Sequence, residues 1–160
     1  MTPRGAVARP PEQVTIRRAH PEDRAEIMML YARESCRHMD PDRIKRRLAD
    51  LPAIVAHDGN ELVGFIHARR FAPDIVELSQ MVISSRLRGR GLGTAMVEAM
   101  EQALVDAGFR AAVFSNSWLH PGNTPESSRR ARSFWRRHGY WEVLETDGGA
   151  SVVYAKRLGP

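Results

Sequence analysis

The sequence predicts a single α/β domain built on a mixed sheet. The chain has 160 residues, which is enough for one hydrophobic core and too few for two independent domains. Segments with strand-like alternation and segments with helical periodicity follow one another along the chain, and this mixture predicts the α/β class. Residues 1–12 contain three prolines and no hydrophobic periodicity, so we expect a flexible N-terminal arm before a folded domain at 13–160.

The first elements of that domain are a strand and two helices. Val14 and Ile16 alternate with polar residues and predict a short strand. A helix is expected from Pro21, because the fixed φ of proline suits the first helical position. A second helix is expected after Asp40, whose side chain can cap it.

The middle of the chain predicts three consecutive antiparallel strands. Ala53–His57 ends at the hairpin signal Asp58-Gly59-Asn60, and Glu61–Phe71 follows as its partner. After the turn at Pro73-Asp74, Ile75–Ile83 is the next strand. Short connections between consecutive strands predict an antiparallel meander.

The second half of the chain alternates between helices and strands. The predicted elements are a helix from Gly93 to a stop at Gly108, a strand at Ala111–Ser115, a loop at Trp118–Ser127, a helix at Ser128–His138, and strands at Tyr140–Leu144 and Ser151–Arg157.

Charge and cysteine content restrict the classes of function. The net charge is +5, and every basic residue except Lys45 and Lys156 is an arginine. The arginines are spread along the whole chain, so charge alone does not indicate nucleic-acid binding. No stretch reaches the roughly eighteen apolar residues of a membrane-spanning helix, and no secretory signal is predicted. The single cysteine, Cys36, excludes an internal disulfide and fits a reducing compartment, so we expect a cytoplasmic protein.

The strongest local feature is a glycine-rich turn between the strand Ile75–Ile83 and an amphipathic helix. Glycines let the backbone turn tightly and approach a ligand, and unpaired N–H groups at a helix start attract anions. The dinucleotide pattern GxGxxG would need glycine at Thr94, and the nucleotide-triphosphate loop is absent. The turn therefore predicts a pyrophosphate site of another kind, made by Arg88, Gly89, Arg90, Gly91, Leu92, Gly93 and Thr94.

Two motifs resemble those of the GNAT superfamily of acyl-CoA-dependent N-acetyltransferases. Arg88, Gly91 and Gly93 match its core motif Arg/Gln-x-x-Gly-x-Gly/Ala at the end of the fourth strand. Phe134–Tyr140 takes the place of its second landmark, aromatic-Tyr-x-x-x-Gly-Phe, and the element order fits from Val14 to Arg157. The resemblance implies a mostly antiparallel sheet of about six to seven strands with helices on both faces.

The resemblance also implies a reaction and a cofactor site. The chain would transfer an acetyl group from acetyl-CoA directly to a primary amine of a small molecule or a peptide. The turn would hold the CoA pyrophosphate, and the pantetheine arm would pair with the backbone of Met81, Val82 and Ile83. The Met81 N–H would stabilise the thioester oxyanion. No metal, nucleic acid or membrane is implied as a partner, and a homodimer is compatible with the family.

The catalytic groups are predicted with alternatives. Glu77 resembles the glutamate base of histone-type family members, and period-two counting places Glu77, Ser79 and Met81 on one face. Trp135 stands where many members carry a tyrosine acid, and would pack against either the pantetheine or the core. Ser128 stands where many members carry an asparagine that bonds the pantetheine.

Two readings therefore remain open. The missing tyrosine motivates a second class of function, an acyl-CoA-binding sensor or inactive relative. A ping-pong route through Cys36 is a third, weaker idea, since a lone cysteine is more often a small packing residue.

Overall fold

The computed structural model describes residues 13–117 and 123–159, and within them a seven-stranded mixed sheet carries four α-helices. The sheet order is β1-β2-β3-β4-β5-β7-β6, and all neighbours are antiparallel except β4 and β5. The strands are β1 (Val14–Arg18), β2 (Ala53–Asp58), β3 (Glu61–Ala72), β4 (Ile75–Ile83), β5 (Ala111–Ser117), β6 (Trp141–Thr146) and β7 (Ser151–Arg157). The helices are α1 (Arg24–Ser35), α2 (Pro41–Asp50), α3 (Leu92–Asp106) and α4 (Pro125–Arg137).

Helix starts follow the local capping chemistry. The Asp40 side chain accepts a hydrogen bond from the N–H of Asp42 at 3.0 Å, as predicted for the start of α2. α4 begins at Pro125, three residues before the predicted Ser128, because Thr124 and Ser127 cap it reciprocally. The rest of the predicted loop, including Trp118, lies mostly outside the described residues.

Two hydrophobic clusters cover the two faces of the sheet. One holds α3 and the Trp135 side of α4 against the sheet, and the other holds α1 and α2. The predicted arrangement, a mostly antiparallel sheet with helices on both faces, is thus confirmed. Besides its two edge strands, β1 and β6, the sheet has unpaired strand backbone where two neighbouring strands separate.

Candidate functional site

The site is centred on a gap in the sheet. β4 and β5 pair only from Ile75 to Glu77, opposite Ala111–Val113, although β4 continues to Ile83 and β5 to Ser117. Beyond Glu77 the two parallel strands separate. Unpaired strand backbone is a template to which an extended ligand can add by hydrogen bonding.

At the gap, every second residue of β4 directs its backbone N–H and carbonyl groups toward the space between β4 and β5. The N–H of Ser84 donates to the Val63 carbonyl of β3 at 2.8 Å, so the N–H groups of Met81 and Ile83 point the other way, toward the gap. The Ile83 carbonyl accepts a hydrogen bond from the Arg88 side chain at 3.1 Å, which agrees with this orientation. The Met81 N–H therefore does not pair with β3.

The glycine-rich turn lies where β4 ends and α3 begins. Gly89 and Gly91 have φ angles of 74° and 82°, in the left-handed region that favours glycine. Gly91 caps α3 without a side-chain hydrogen bond, so the N–H groups of the first helical turn remain available to an anion. At Gly93 a Cβ atom would lie 3.2 Å from the Phe134 ring and 3.3 Å from the Ile83 side chain, so α3 and α4 pack closely there.

The arginines around this turn are mostly paired with carboxylates. Arg86 donates to Asp58 at 2.8 Å and to Glu61 at 2.9 Å. Arg88 pairs with Glu34 at 3.1 Å, and the N–H of Ser85 donates to the same carboxylate. Arg90 has no carboxylate partner among the described residues.

One wall of the gap comes from α4. The Ser128 hydroxyl is buried and has no hydrogen-bond partner among the described residues, so this position can accept a polar ligand group. Trp135 is only 3% exposed and its ring lies 4.5 Å from Phe114 and 5.0 Å from Tyr140. Of the two surroundings predicted for Trp135, the structure shows the core.

Glu77 lies at the point where β4 and β5 part, and its carboxylate is held by Arg69 at 2.6 Å. The prediction that Glu77 and Met81 share a face of the sheet is wrong. His67 pairs with Gln80 and Ala68 with Leu78, which leaves Ser79 as a β-bulge. The extra residue reverses the alternation, so Glu77 shares a face with Gln80 and Val82, and Met81 points with Leu78 into the opposite cluster.

The Glu77 face carries a buried polar chain that the sequence did not reveal. With the proton on Nε2, His67 donates to the Gln80 side-chain oxygen at 2.9 Å, and Arg47 of α2 donates to Nδ1 at 3.3 Å. His67 is 1% exposed, and its burial, with the nearby charge of Arg47, lowers its pKa to about 4. A histidine within the apolar run of β3 was the one available signal, but its partners are distant in sequence.

Three other candidates for a chemical role are Tyr140, Cys36 and the cluster of Asp23, Glu26 and His57. Tyr140, the tyrosine that ends the second motif, is 2% exposed; burial first, and then the charge of Glu101, raises its pKa. Cys36 is exposed at the end of α1 with a φ of 55°, so it is not the packing residue that we expected.

Asp23, Glu26 and His57 are close enough to hold a metal ion, but Arg17 already binds Asp23 through both terminal nitrogens of its guanidinium.

Comparison with known proteins agrees with this geometry. The model of the acetyltransferase (GNAT) family matches residues 25–140. A mycothiol acetyltransferase of Corynebacterium glutamicum is 32% identical over 76 residues, which are 48% of this chain. The match covers 25% of the relative's sequence, so this chain spans about a quarter of that relative's length.

Two solved structures show the same fold. The ribosomal-protein-S18-alanine N-acetyltransferase of Escherichia coli superposes with a TM-score of 0.74 at 13% identity, covering 92% of this chain and 95% of that one. A phosphinothricin acetyltransferase of Sinorhizobium meliloti, in complex with acetyl-CoA, gives 0.71 at 18% identity, covering 92% and 89%.

The chain belongs to the acetyltransferase (GNAT) family, whose members are acyltransferases with acetyl-CoA-dependent N-acetylation as their general reaction. Acetyl-CoA is bound in the solved structure of the Sinorhizobium meliloti neighbour. Within the described part of the chain, no helix is long and apolar enough to cross a membrane.

Proposed function

We propose that this protein is an N-acetyltransferase that moves the acetyl group of acetyl-CoA directly to a primary amine of a small molecule or peptide. The observation that carries the proposal is the gap between β4 and β5 next to the glycine-rich turn. The turn offers N–H groups to a pyrophosphate, and the gap offers a free strand edge to the pantetheine arm. Ser128 adds a polar contact from α4.

The proposed chemistry uses the backbone of β4 and one carboxylate. The Met81 N–H points into the gap, where it donates to the thioester oxygen as negative charge develops on it. Glu77, at the start of the gap, accepts the proton of the attacking amine directly or through a water molecule. The amine nitrogen bonds to the acetyl carbon, the carbon–sulfur bond breaks, and CoA leaves as the thiolate.

No side-chain acid is required for the leaving group. A thiol has a pKa of about 8.5, so its anion leaves near neutral pH without prior protonation. The core position of Trp135 and the burial of Tyr140 beside Glu101 fit this route. The same observation favours the second candidate, a protein that binds acyl-CoA without turnover.

One experiment separates the two candidates. Acetyl-CoA binding is measured by calorimetry, and thiol release from acetyl-CoA is followed with a panel of primary amines. Glu77→Gln should lower kcat by about 100-fold or more with an unchanged Kd for acetyl-CoA.

The matched control is Glu145→Gln, which removes an exposed strand carboxylate that also pairs with an arginine, Arg132. Binding without turnover for every amine would favour the acyl-CoA-binding candidate. An unchanged kcat in Glu77→Gln would assign the base to another group.

A further inference from the structure

A cleft rich in arginine lies between α2 and the second half of β3. Its volume is about 520 Å³, which is within the range of small-molecule sites. Asp50 is the one carboxylate in its lining, and Leu51 and Ala68 are its apolar residues. The other five lining residues are arginines: Arg43, Arg46, Arg47, Arg69 and Arg70.

Four of these arginines have no carboxylate partner within the described residues, and three of the four, Arg43, Arg46 and Arg47, lie on α2. Arg69 is held by Glu77, and Arg70 donates to the Pro73 carbonyl at 2.8 Å and lies over the Phe109 ring. Arg43, Arg46 and Arg47 have no ion pair within the described residues.

Of the three arginines on α2, Arg47 has the least favourable surroundings for a charge. It is half-buried, and its one polar contact in the described part of the chain is the neutral ring of His67. Burial, followed by the like charges of Arg43 and Arg69, lowers the pKa of Arg47, and the opposite charge of Glu77 offsets only part of this effect. A cation withdrawn from water without a partner is costly, and a bound anion relieves that cost.

The cleft adjoins the proposed reaction centre on the same face of the sheet. Arg69, in the cleft lining, holds the carboxylate of Glu77. Arg47 contacts His67, which donates to Gln80, one residue before Met81. A molecule bound in the cleft therefore lies next to the carboxylate that would take the proton of an attacking amine.

We propose that the acceptor is a small primary amine that also carries an anionic group, a carboxylate or a phosphate, and that Arg47 binds this group. Arg43 and Arg46 add positive charge at the cleft and draw the anion in. This proposal rests on the proposed N-acetyltransferase activity. The size of the cleft favours a small molecule over an acidic protein segment.

The first test measures anion binding in protein saturated with acetyl-CoA, so that the pyrophosphate turn is filled. Inorganic phosphate and acetate are titrated by calorimetry against the wild type, Arg47→Gln, Arg47→Lys and the control Lys45→Gln. Lys45 is exposed on the same helix but does not line the cleft, and its substitution removes the same charge. Arg47→Gln should weaken phosphate binding by about 10- to 100-fold, Arg47→Lys by less, and Lys45→Gln by less than about 2-fold.

The second test compares matched acceptors by thiol release: β-alanine against β-alanine amide, and phosphoethanolamine against ethanolamine. The anionic member of each pair should have the higher kcat/KM. Arg47→Gln should raise KM for the anionic member and should lower kcat/KM for the anionic member much more than for the neutral one.

Several outcomes would overturn the proposal: no phosphate binding to the loaded protein, equal losses in Arg47→Gln and Lys45→Gln, or preference for the neutral amines. An Arg47→Gln protein with weakened acetyl-CoA binding would instead place Arg47 in the cofactor site. If acetyl-CoA does not bind the wild type at all, the proposed function fails, and phosphate titration of the free protein still decides whether the cleft binds anions.

Discussion

Two arginine-rich regions of this molecule differ in how their charges are balanced. At the glycine-rich turn, Arg86 and Arg88 each contact carboxylates from β2, β3 or α1. At the cleft between α2 and β3, Arg47 contacts only a neutral histidine and its neighbours on α2 have no ion pair among the described residues.

Arginine therefore has a different role in each of the two regions. Where arginines are paired, they hold loop and helix together, and we propose that anion recognition falls to the backbone N–H groups at the start of α3. Where arginines are unpaired, the guanidinium groups themselves are available to an anion. Three changes, in order of decreasing expected effect, test this contrast.

The largest effect is expected from Gly91→Glu at the turn. Gly91 has a φ of 82°, and a glutamate there adds both backbone strain and negative charge where the pyrophosphate would bind. Acetyl-CoA affinity should fall by about 100-fold or more, measured by calorimetry.

Gly108→Glu is the matched control for this change. Gly108 has a φ of 87°, an added Cβ would have open space, and it follows the other end of α3, about 22 Å away along the helix. It should show the backbone strain as lower stability while keeping acetyl-CoA affinity. Equal affinity losses in the two folded variants would show that the turn has no special role.

A smaller effect concerns the pH dependence of stability at the cleft. The pKa of folded His67 is about 4, whereas that of an unfolded histidine is about 6.5. Between these values the unfolded state binds more protons, so the free energy of unfolding falls as the pH falls. His67 should account for about 2 kcal/mol of loss between pH 7 and pH 5, measured by urea unfolding.

His67→Asn should flatten that pH dependence, although it will also lower stability at pH 7 by removing a buried hydrogen bond. His38→Asn, at an exposed histidine, is the matched control substitution. The prediction concerns the slope, so a lower overall stability does not obscure it. Identical slopes in the wild type and His67→Asn would contradict the neutral, buried state of His67.

The smallest effect is expected from the ion pair at the turn. Glu34 has a nearly buried carboxylate, while Arg88 is 58% exposed, so solvent screens part of their attraction. A double-mutant cycle of Glu34→Gln and Arg88→Gln should give a coupling free energy of about 0.5–1 kcal/mol in urea unfolding. The same cycle with Arg90→Gln should give none, because Arg90 has no carboxylate partner among the described residues. Coupling to Arg90 of equal size would remove the distinction between paired and unpaired arginines.

Much of the fold could be predicted because its signals are local. Proline and aspartate at the start of α2, the hairpin signal at Asp58-Gly59-Asn60, and the bounds of β4 and β7 all follow from residues within one turn or strand. The start of α4 was placed too late, because its capping pair lies in a segment rich in turn residues. The bulge at Ser79 could not be predicted, since pairing with β3 creates it.

The parts of the candidate site also differ in whether the sequence alone could predict them. The glycine-rich turn is contiguous in sequence, so its backbone geometry and its place before α3 follow from its residues. The polar chain of Arg47, His67 and Gln80 comes from one helix and two strands, and no spacing in the sequence relates these residues.

The sequence by itself therefore determined the order of elements, the family motifs and the glycine-rich turn, because these depend on neighbouring residues. Only the tertiary structure decided which arginines are neutralised and which face Glu77 occupies. Ion pairs form between residues that the register and packing of distant elements bring together, and one extra residue in a strand reverses every side chain beyond it. For this protein, that difference separates the proposed cofactor site, which the sequence predicts, from the proposed acceptor cleft, which only the fold reveals.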